Sequence, residues 1–254
     1  MELHGVRALI TGGSSGIGRA VALALAEAGA DAVAVDYHRR EDDARSTCEA
    51  IEARGARAIA IRADVGVARD VDRMVEQAVE RLGGLDVLVN DAGYTEMIPF
   101  PDLDAISEEM WDRVMAVNVK GPFLCSRAAA PSLRRAGGAI VNVSSVAGIF
   151  ATGSSLPYGV SKAALTQLTR ALALALAPAV RVNGVAPGVV ASPWFGHLLG
   201  DERAKNVFET ARAATPLGRT IEPPDVSQIV LALLAADAVT GETVVIDGGR
   251  AITY

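Results

Sequence analysis

A glycine-rich octet, Thr11-Gly12-Gly13-Ser14-Ser15-Gly16-Ile17-Gly18, separates an apolar run over residues 6–10 from a helical run over residues 19–28. A strand, a tight turn and a helix in that order commit the chain to a βα unit whose next strand lies parallel to the first. The pattern then repeats. Further strands are predicted over 32–35, 56–61, 87–89, 139–143, 180–185 and 243–246, and helices over 42–54, 70–82 and 161–177. These strands are apolar almost throughout, so both faces of their sheet need covering. The expectation is an α/β chain: a single-domain, Rossmann-type, doubly wound parallel sheet of about seven strands spanning residues 1–254. No repeat, linker or low-complexity tract divides it.

The octet also suggests chemistry. Gly12 permits the sharp turn, Gly16 lets backbone approach a pyrophosphate, and Gly18 lets helix and strand pack closely. The helix start that follows offers free N–H groups and a partial positive charge to an anion. Arg19-Ala20 stands where a P-loop needs Gly-Lys-Ser/Thr. A dinucleotide is therefore expected on Gly12, Ser14, Ser15, Gly16, Ile17 and Gly18. Asp36 ends the second strand and is placed to accept the adenosine ribose hydroxyls, which favours NAD, since a carboxylate repels a 2′-phosphate. His38, Arg39 and Arg40 follow directly and are able to clamp that phosphate, so NADP stays open. Asp64-Val65, after the third strand, is placed for the adenine edge or for a plain helix cap.

Composition narrows the partners. A net charge of −6 with no basic stripe is not expected to bind nucleic acid, and Arg39-Arg40 is too short to count as one. No apolar run reaches the ~18 residues of a membrane span. Met1-Glu2-Leu3-His4-Gly5 lacks the regions of a signal peptide. With Cys48 and Cys125 alone, neither a disulfide framework nor a Cys-based metal site is expected. A cytoplasmic location is the expectation, with no metal implied.

Tyr158 and Lys162 stand one helical turn apart, on one face. Ser145 follows the fifth strand, and Asn118 interrupts a helix that disfavours Asn. Together with Asp64, Asn90-Asp91-Ala92-Gly93, Ser144, Pro187-Gly188 and Asp247-Gly248-Gly249, these motifs resemble the short-chain dehydrogenase/reductase family over essentially the whole chain, with carbonyl reductases and alcohol dehydrogenases as the nearest kind. The resemblance implies hydride transfer between a nicotinamide and a ketone or secondary alcohol. It makes Tyr158 the general acid/base, Lys162 its helper and a ribose ligand, Ser145 the substrate-oxygen partner and Asn118 the anchor of a water. It adds Tyr37, Asn90, Ala92, Gly93, Pro187, Gly188, Val190 and Ser192 to the cofactor contacts. Two departures stand out: Asp91 replaces the family's usual Asn, and Ser192 replaces a Thr. Aligning back from Asp64 instead makes Tyr37 the cofactor-selecting position.

The segment 188–224 is the longest irregular stretch, with a charged helix-like insert, and is expected to act as a substrate lid. Tyr94, Phe150, Leu156, Trp194 and Phe195, with Ser145, are expected to line the substrate pocket, whose aromatic wall suits a hydrophobic small molecule. The helix 161–177 is apolar nearly all round, so a second burial surface is expected. By resemblance that surface is a subunit interface of a homotetramer or homodimer. Two other functions remain: an epimerase or dehydratase, and a dinucleotide-sensing regulator without turnover. The second typically loses the Tyr or the Lys, and both are present.

Overall fold

The computed structural model describes residues 1–253. Seven strands form: β1 (Arg7–Thr11), β2 (Ala32–Tyr37), β3 (Arg57–Arg62), β4 (Val87–Asn90), β5 (Ala139–Val143), β6 (Arg181–Pro187) and β7 (Thr243–Ile246). They make one parallel sheet in the order β3-β2-β1-β4-β5-β6-β7. The chain winds outward one way from β1 and the other way from β4. The crossovers therefore diverge at that pair and leave a crevice at the carboxyl edge.

Nine α-helices connect the strands among the described residues: α1 (Gly16–Glu27), α2 (Glu41–Glu52), α3 (Ala68–Leu82), α4 (Glu108–Met115), α5 (Gly121–Ala136), α6 (Leu156–Leu176), α7 (Pro193–Leu199), α8 (Asp201–Ala214) and α9 (Pro223–Ala235). On one face, Ile10, Val35, Val89 and Val141 pack with Val21 and Leu25 of α1 and Val230 and Leu234 of α9. On the other, Leu9, Leu88, Ile140 and Val182 meet Met74 of α3, Leu133 of α5 and Leu172 of α6. Neighbouring strand residues point to opposite faces, and both faces are buried, which explains the unbroken apolar runs.

One polar ladder crosses this core. Asn90 lies opposite Asn142 in the β4–β5 register. Asn90 Nδ2 donates to Asn142 Oδ1 at 2.8 Å, and Asn142 Nδ2 donates to Thr169 Oγ1 at 2.9 Å. The ladder ties α6 to the centre of the sheet, just below the crevice.

Two expectations change. α6 begins at Leu156, earlier than the predicted residue 161, because Ser155 is its N-cap and Pro157 sits in its first turn. The segment 188–224 is not largely irregular: it holds α7 and α8, joined by an edge-to-face contact of Phe195 and Phe208 with centroids 5.6 Å apart. Pro193 opens α7, and Ala204 and Ala211 are the buried residues of α8. No helix among the described residues is long and apolar enough to cross a membrane.

Candidate active site

The crevice measures about 810 Å³ and is walled by the carboxyl ends of the strands, the turn into α1, the start of α6 and the lid. At the end of β1, Gly12 adopts φ +67°, and a Cβ there would lie 3.0 Å from the backbone of Ala92. Glycine is what lets this turn close against the loop after β4. Ser15 is the N-cap of α1, but its side chain caps nothing, and no acid occupies the first turn. The leading amides of α1 therefore face the crevice without a competing carboxylate at Gly16 or Ile17. The Gly18 amide differs: it donates to Asp91 Oδ2 at 2.8 Å.

At the end of β2, Asp36 is 2 % exposed. Its Oδ2 accepts the Gly12 amide at 3.3 Å, whereas its buried Oδ1 has no partner among the described residues. Burial pushes this carboxyl up to about 7, against the pull of the Gly12 and Ala63 amides. An orphaned buried acceptor on a crevice wall is what a hydroxyl-bearing ligand satisfies. With the open turn at α1, the residues present fit a dinucleotide.

Asp64, after β3, is held by Arg113 of α4, whose Nη1 donates to both carboxylate oxygens at 2.8 and 3.0 Å. Burial would raise this carboxyl, but Arg113 and the Gly66 amide outweigh it and hold it below the usual range. Arg113 also lies 5.7 Å from the centroid of the Tyr94 ring. No motif marks Arg113 in the sequence. Arg40 Nη2 donates to Ser15 Oγ at 2.7 Å, and its Nη1 sits 3.3 Å from Nδ1 of His197 in the lid. That link between the cofactor turn and α7 was also invisible in the sequence.

Ser145, Tyr158 and Lys162 meet at the other end. The Ser145 hydroxyl lies near enough to the Tyr158 hydroxyl to favour its ionised form, and Lys162 Nζ lies 5.6 Å from the centroid of the Tyr158 ring. Lys162 Nζ donates to the Val143 carbonyl at 2.8 Å. Burial pushes the phenol up to about 12; the nearby Ser145 hydroxyl opposes this and the charge of Asp91 adds to it. Ser144 instead braces α6, its hydroxyl donating to the Lys162 carbonyl at 2.9 Å.

Every predicted cofactor residue except Gly18 and Asn90 lines the crevice. Those two sit one layer beneath it, Gly18 on Asp91 and Asn90 on Asn142. Asn118 is also beneath. It falls in a π-helical turn, Ala116–Lys120, a form of helix break common at functional sites. Its Nδ2 donates to the Tyr94 carbonyl and Ser161 Oγ, and its Oδ1 accepts the Tyr94 amide, at 2.8–3.0 Å. Of the predicted substrate residues, Tyr94, Trp194 and Phe195 line the crevice. Leu156 does not, since residues two apart on a helix do not share a face and Tyr158 takes the inner one. Phe150 does not either: the tight turn after Val146 brings Thr152, Gly153 and Ser154 to the wall instead.

Fold and crevice together define a dinucleotide-binding α/β protein, and comparison with known proteins makes this specific. A family profile described as Enoyl-(Acyl carrier protein) reductase matches residues 12–251. A Streptomyces violaceoruber protein, provisionally named granaticin polyketide synthase ketoacyl reductase 2, is 44% identical over 95% of this chain and 94% of its own length. The 3-oxoacyl-[acyl-carrier-protein] reductase FabG of Staphylococcus aureus is 38% identical over 95% of this chain and 96% of its own. A short-chain dehydrogenase of Burkholderia cenocepacia J2315, solved in complex with NADP, superposes with a TM-score of 0.88. It is 34% identical and the match covers 99% of this chain and 100% of that one. The chain belongs to the short-chain dehydrogenase/reductase family and is an NAD(P)-dependent oxidoreductase.

Proposed function

We propose that the chain is a carbonyl reductase in which Tyr158 protonates the substrate oxygen, Ser145 holds that oxygen, and Lys162 supplies the positive charge beside them. The observation that carries this reading is the convergence of the Tyr158 hydroxyl, the Ser145 hydroxyl and the Lys162 ammonium on one wall of the crevice. A bound nicotinamide supplies the hydride in reduction or accepts it in the reverse direction. A phenol pushed up to about 12 keeps its proton at neutral pH, which is the form that carbonyl reduction needs. For oxidation the phenolate is needed, and the Lys162 charge favours it. Asn118 holds the π-helical turn against the loop after β4 and against α6. Both Nδ2 hydrogens are already used, so any water it anchors must donate to one of its oxygens.

The substrate side of the crevice is apolar, with Trp194, Phe195, Leu198, Val207 and Met97, which favours a hydrophobic ketone. Two relatives carry names of ketoacyl or 3-oxoacyl reductases. A 3-oxoacyl thioester of N-acetylcysteamine is therefore the first probe, with the cofactor absorbance as readout. Oxidation of reduced cofactor supports the reading. Absence of turnover with 3-oxoacyl thioesters and simple ketones alike refutes it.

Asp36 carries the cofactor preference. Its unpaired oxygen is suited to a ribose hydroxyl and repels a 2′-phosphate, so kcat/KM is expected to be higher with NADH than with NADPH. Asp36→Ser is expected to shift that ratio about 10-fold or more toward NADPH, by bringing Arg40 into play. A wild-type preference for NADPH, unmoved in the variant, contradicts this assignment.

Residues 1–254 act as one catalytic domain, with 188–224 as its lid: the Trp194 ring lies 3.6 Å from where a Gly93 Cβ would stand. The outer face of α6, with Val160 43 % and Leu174 84 % exposed, supports a homotetramer or homodimer. Sedimentation equilibrium reads this directly. A monomer at micromolar concentration rules it out.

A further inference from the structure

Asp91 stands at the junction of two parts of the site that the sequence keeps far apart. Its Oδ2 accepts the Gly18 amide in the first turn of α1 at 2.8 Å. Its own amide and that of Ala92 both donate to Thr11 Oγ1 at 3.1 Å, so backbone and side chain are fixed together. Asn90 lies in register with Asn142, which brings Asp91 alongside the end of β5. There the Val143 carbonyl accepts Lys162 Nζ at 2.8 Å. Asp91, Tyr158 and Lys162 all border the same crevice.

A buried ammonium needs a counter-charge as well as an acceptor. The Val143 carbonyl provides the acceptor and no charge. Among the described residues no carboxylate forms a direct ion pair with Lys162, and Asp91 is the acid whose field reaches it. The titratable groups facing Asp91 are Lys162 and Tyr158, both from α6. α1 presents the positive end of its dipole through the Gly18 amide, and β1 presents the Thr11 hydroxyl.

We propose that Asp91 is a positioning residue acting through Lys162: its carboxylate is the counter-charge of that buried ammonium and, by holding the Gly18 amide, ties the cofactor-binding turn to the proton-transfer pair. The inference rests on the roles given above to Tyr158 and Lys162. Burial lowers Lys162 and the Asp91 charge opposes that fall. Burial likewise raises Asp91, with Lys162 and then the Gly18 amide opposing. Each group favours the ionised form of the other. Without the carboxylate, Lys162 loses its proton at lower pH, and the alkaline limb of carbonyl reduction moves with it.

Asp91→Asn separates charge from scaffold, because the amide oxygen still accepts from Gly18. The ionisation of Lys162 is read in the cofactor-free protein by competitive labelling with a small amine-reactive anhydride across pH, followed by peptide mass spectrometry. The expected result is a labelling midpoint lower by about one pH unit in Asp91→Asn. The alkaline limb of kcat with saturating reduced cofactor falls by a similar amount, while the melting temperature changes little. An unmoved labelling midpoint in the folded variant overturns the proposal. Should the amide variant fail to fold, Asp91→Ser keeps a hydroxyl at the position and is read the same way. Labelling needs no turnover, so it decides the role of Asp91 even if Tyr158→Phe stays active and the reading of the tyrosine fails.

Discussion

Tyr158→Phe is expected to lower kcat/KM for carbonyl reduction by about 10²- to 10⁴-fold while cofactor affinity is retained. The substitution removes one oxygen. That oxygen is the proton donor in the mechanism and the neighbour of the Ser145 hydroxyl. The ring stays, and with it the contact beneath Lys162, 5.6 Å from the ammonium to the centroid. The turn at Gly12 and the Asp36 carboxylate lie at the opposite end of the crevice and are untouched, so binding and chemistry separate cleanly. Reduced-cofactor fluorescence titration and steady-state kinetics on the same preparation check both halves. A variant that binds and turns over like the parent removes Tyr158 from the mechanism.

Gly148→Ala has the second largest expected effect, and it acts without touching a reacting group. A Cβ at Gly148 would stand 2.5 Å from the carbonyl carbon of Lys162, 2.6 Å from the amide of Ala163 and 2.7 Å from the Lys162 oxygen. All three are backbone atoms of α6 and none can rotate aside. The helix must move, carrying Lys162 and Tyr158 away from Ser145, or the turn Val146–Gly148 must move and take Ser145 with it. Overpacking of this kind costs about 1–3 kcal/mol, and a misplacement near 1 Å costs about 10²-fold in rate. Scanning calorimetry and kcat are expected to fall together. Unchanged values in both would mean that α6 does not rest on this turn.

Much of the fold was legible because its physics is local. A parallel strand covered on both faces shows up as a near-continuous apolar run, as β2, β4 and β5 do, whereas the edge strands β3 and β7 are only partly covered. The turn into α1 was legible because only glycine fits at Gly12. What the sequence hid comes from pairings between distant elements. Nothing in the run 108–115 marks Arg113 as the partner of Asp64. Asp91 showed up as a departure from a motif, and its partners emerge only when β4 and β5 are in register. The π-helical turn at Asn118 was marked by nothing more than an Asn in a helical run. The lid helices had punctuation, Pro193 and Gly200, but α7 is short and has no buried face to print a period. Leu156 does not line the crevice because it stands two residues from Tyr158 on α6 and so takes another face.

The account depends on one arrangement: a nicotinamide held at the carboxyl edge of β4 and β5 by the residues that also move the proton. A crystal structure with oxidised cofactor tests it most directly. The predicted result places the nicotinamide ribose within hydrogen-bond distance of Lys162 Nζ. Tyr158 Oη and Ser145 Oγ should then share one oxygen-sized space roughly 3–3.5 Å from the hydride-bearing carbon. A dinucleotide bound with its nicotinamide end outside this wall, and Tyr158 and Lys162 turned from it, contradicts the account.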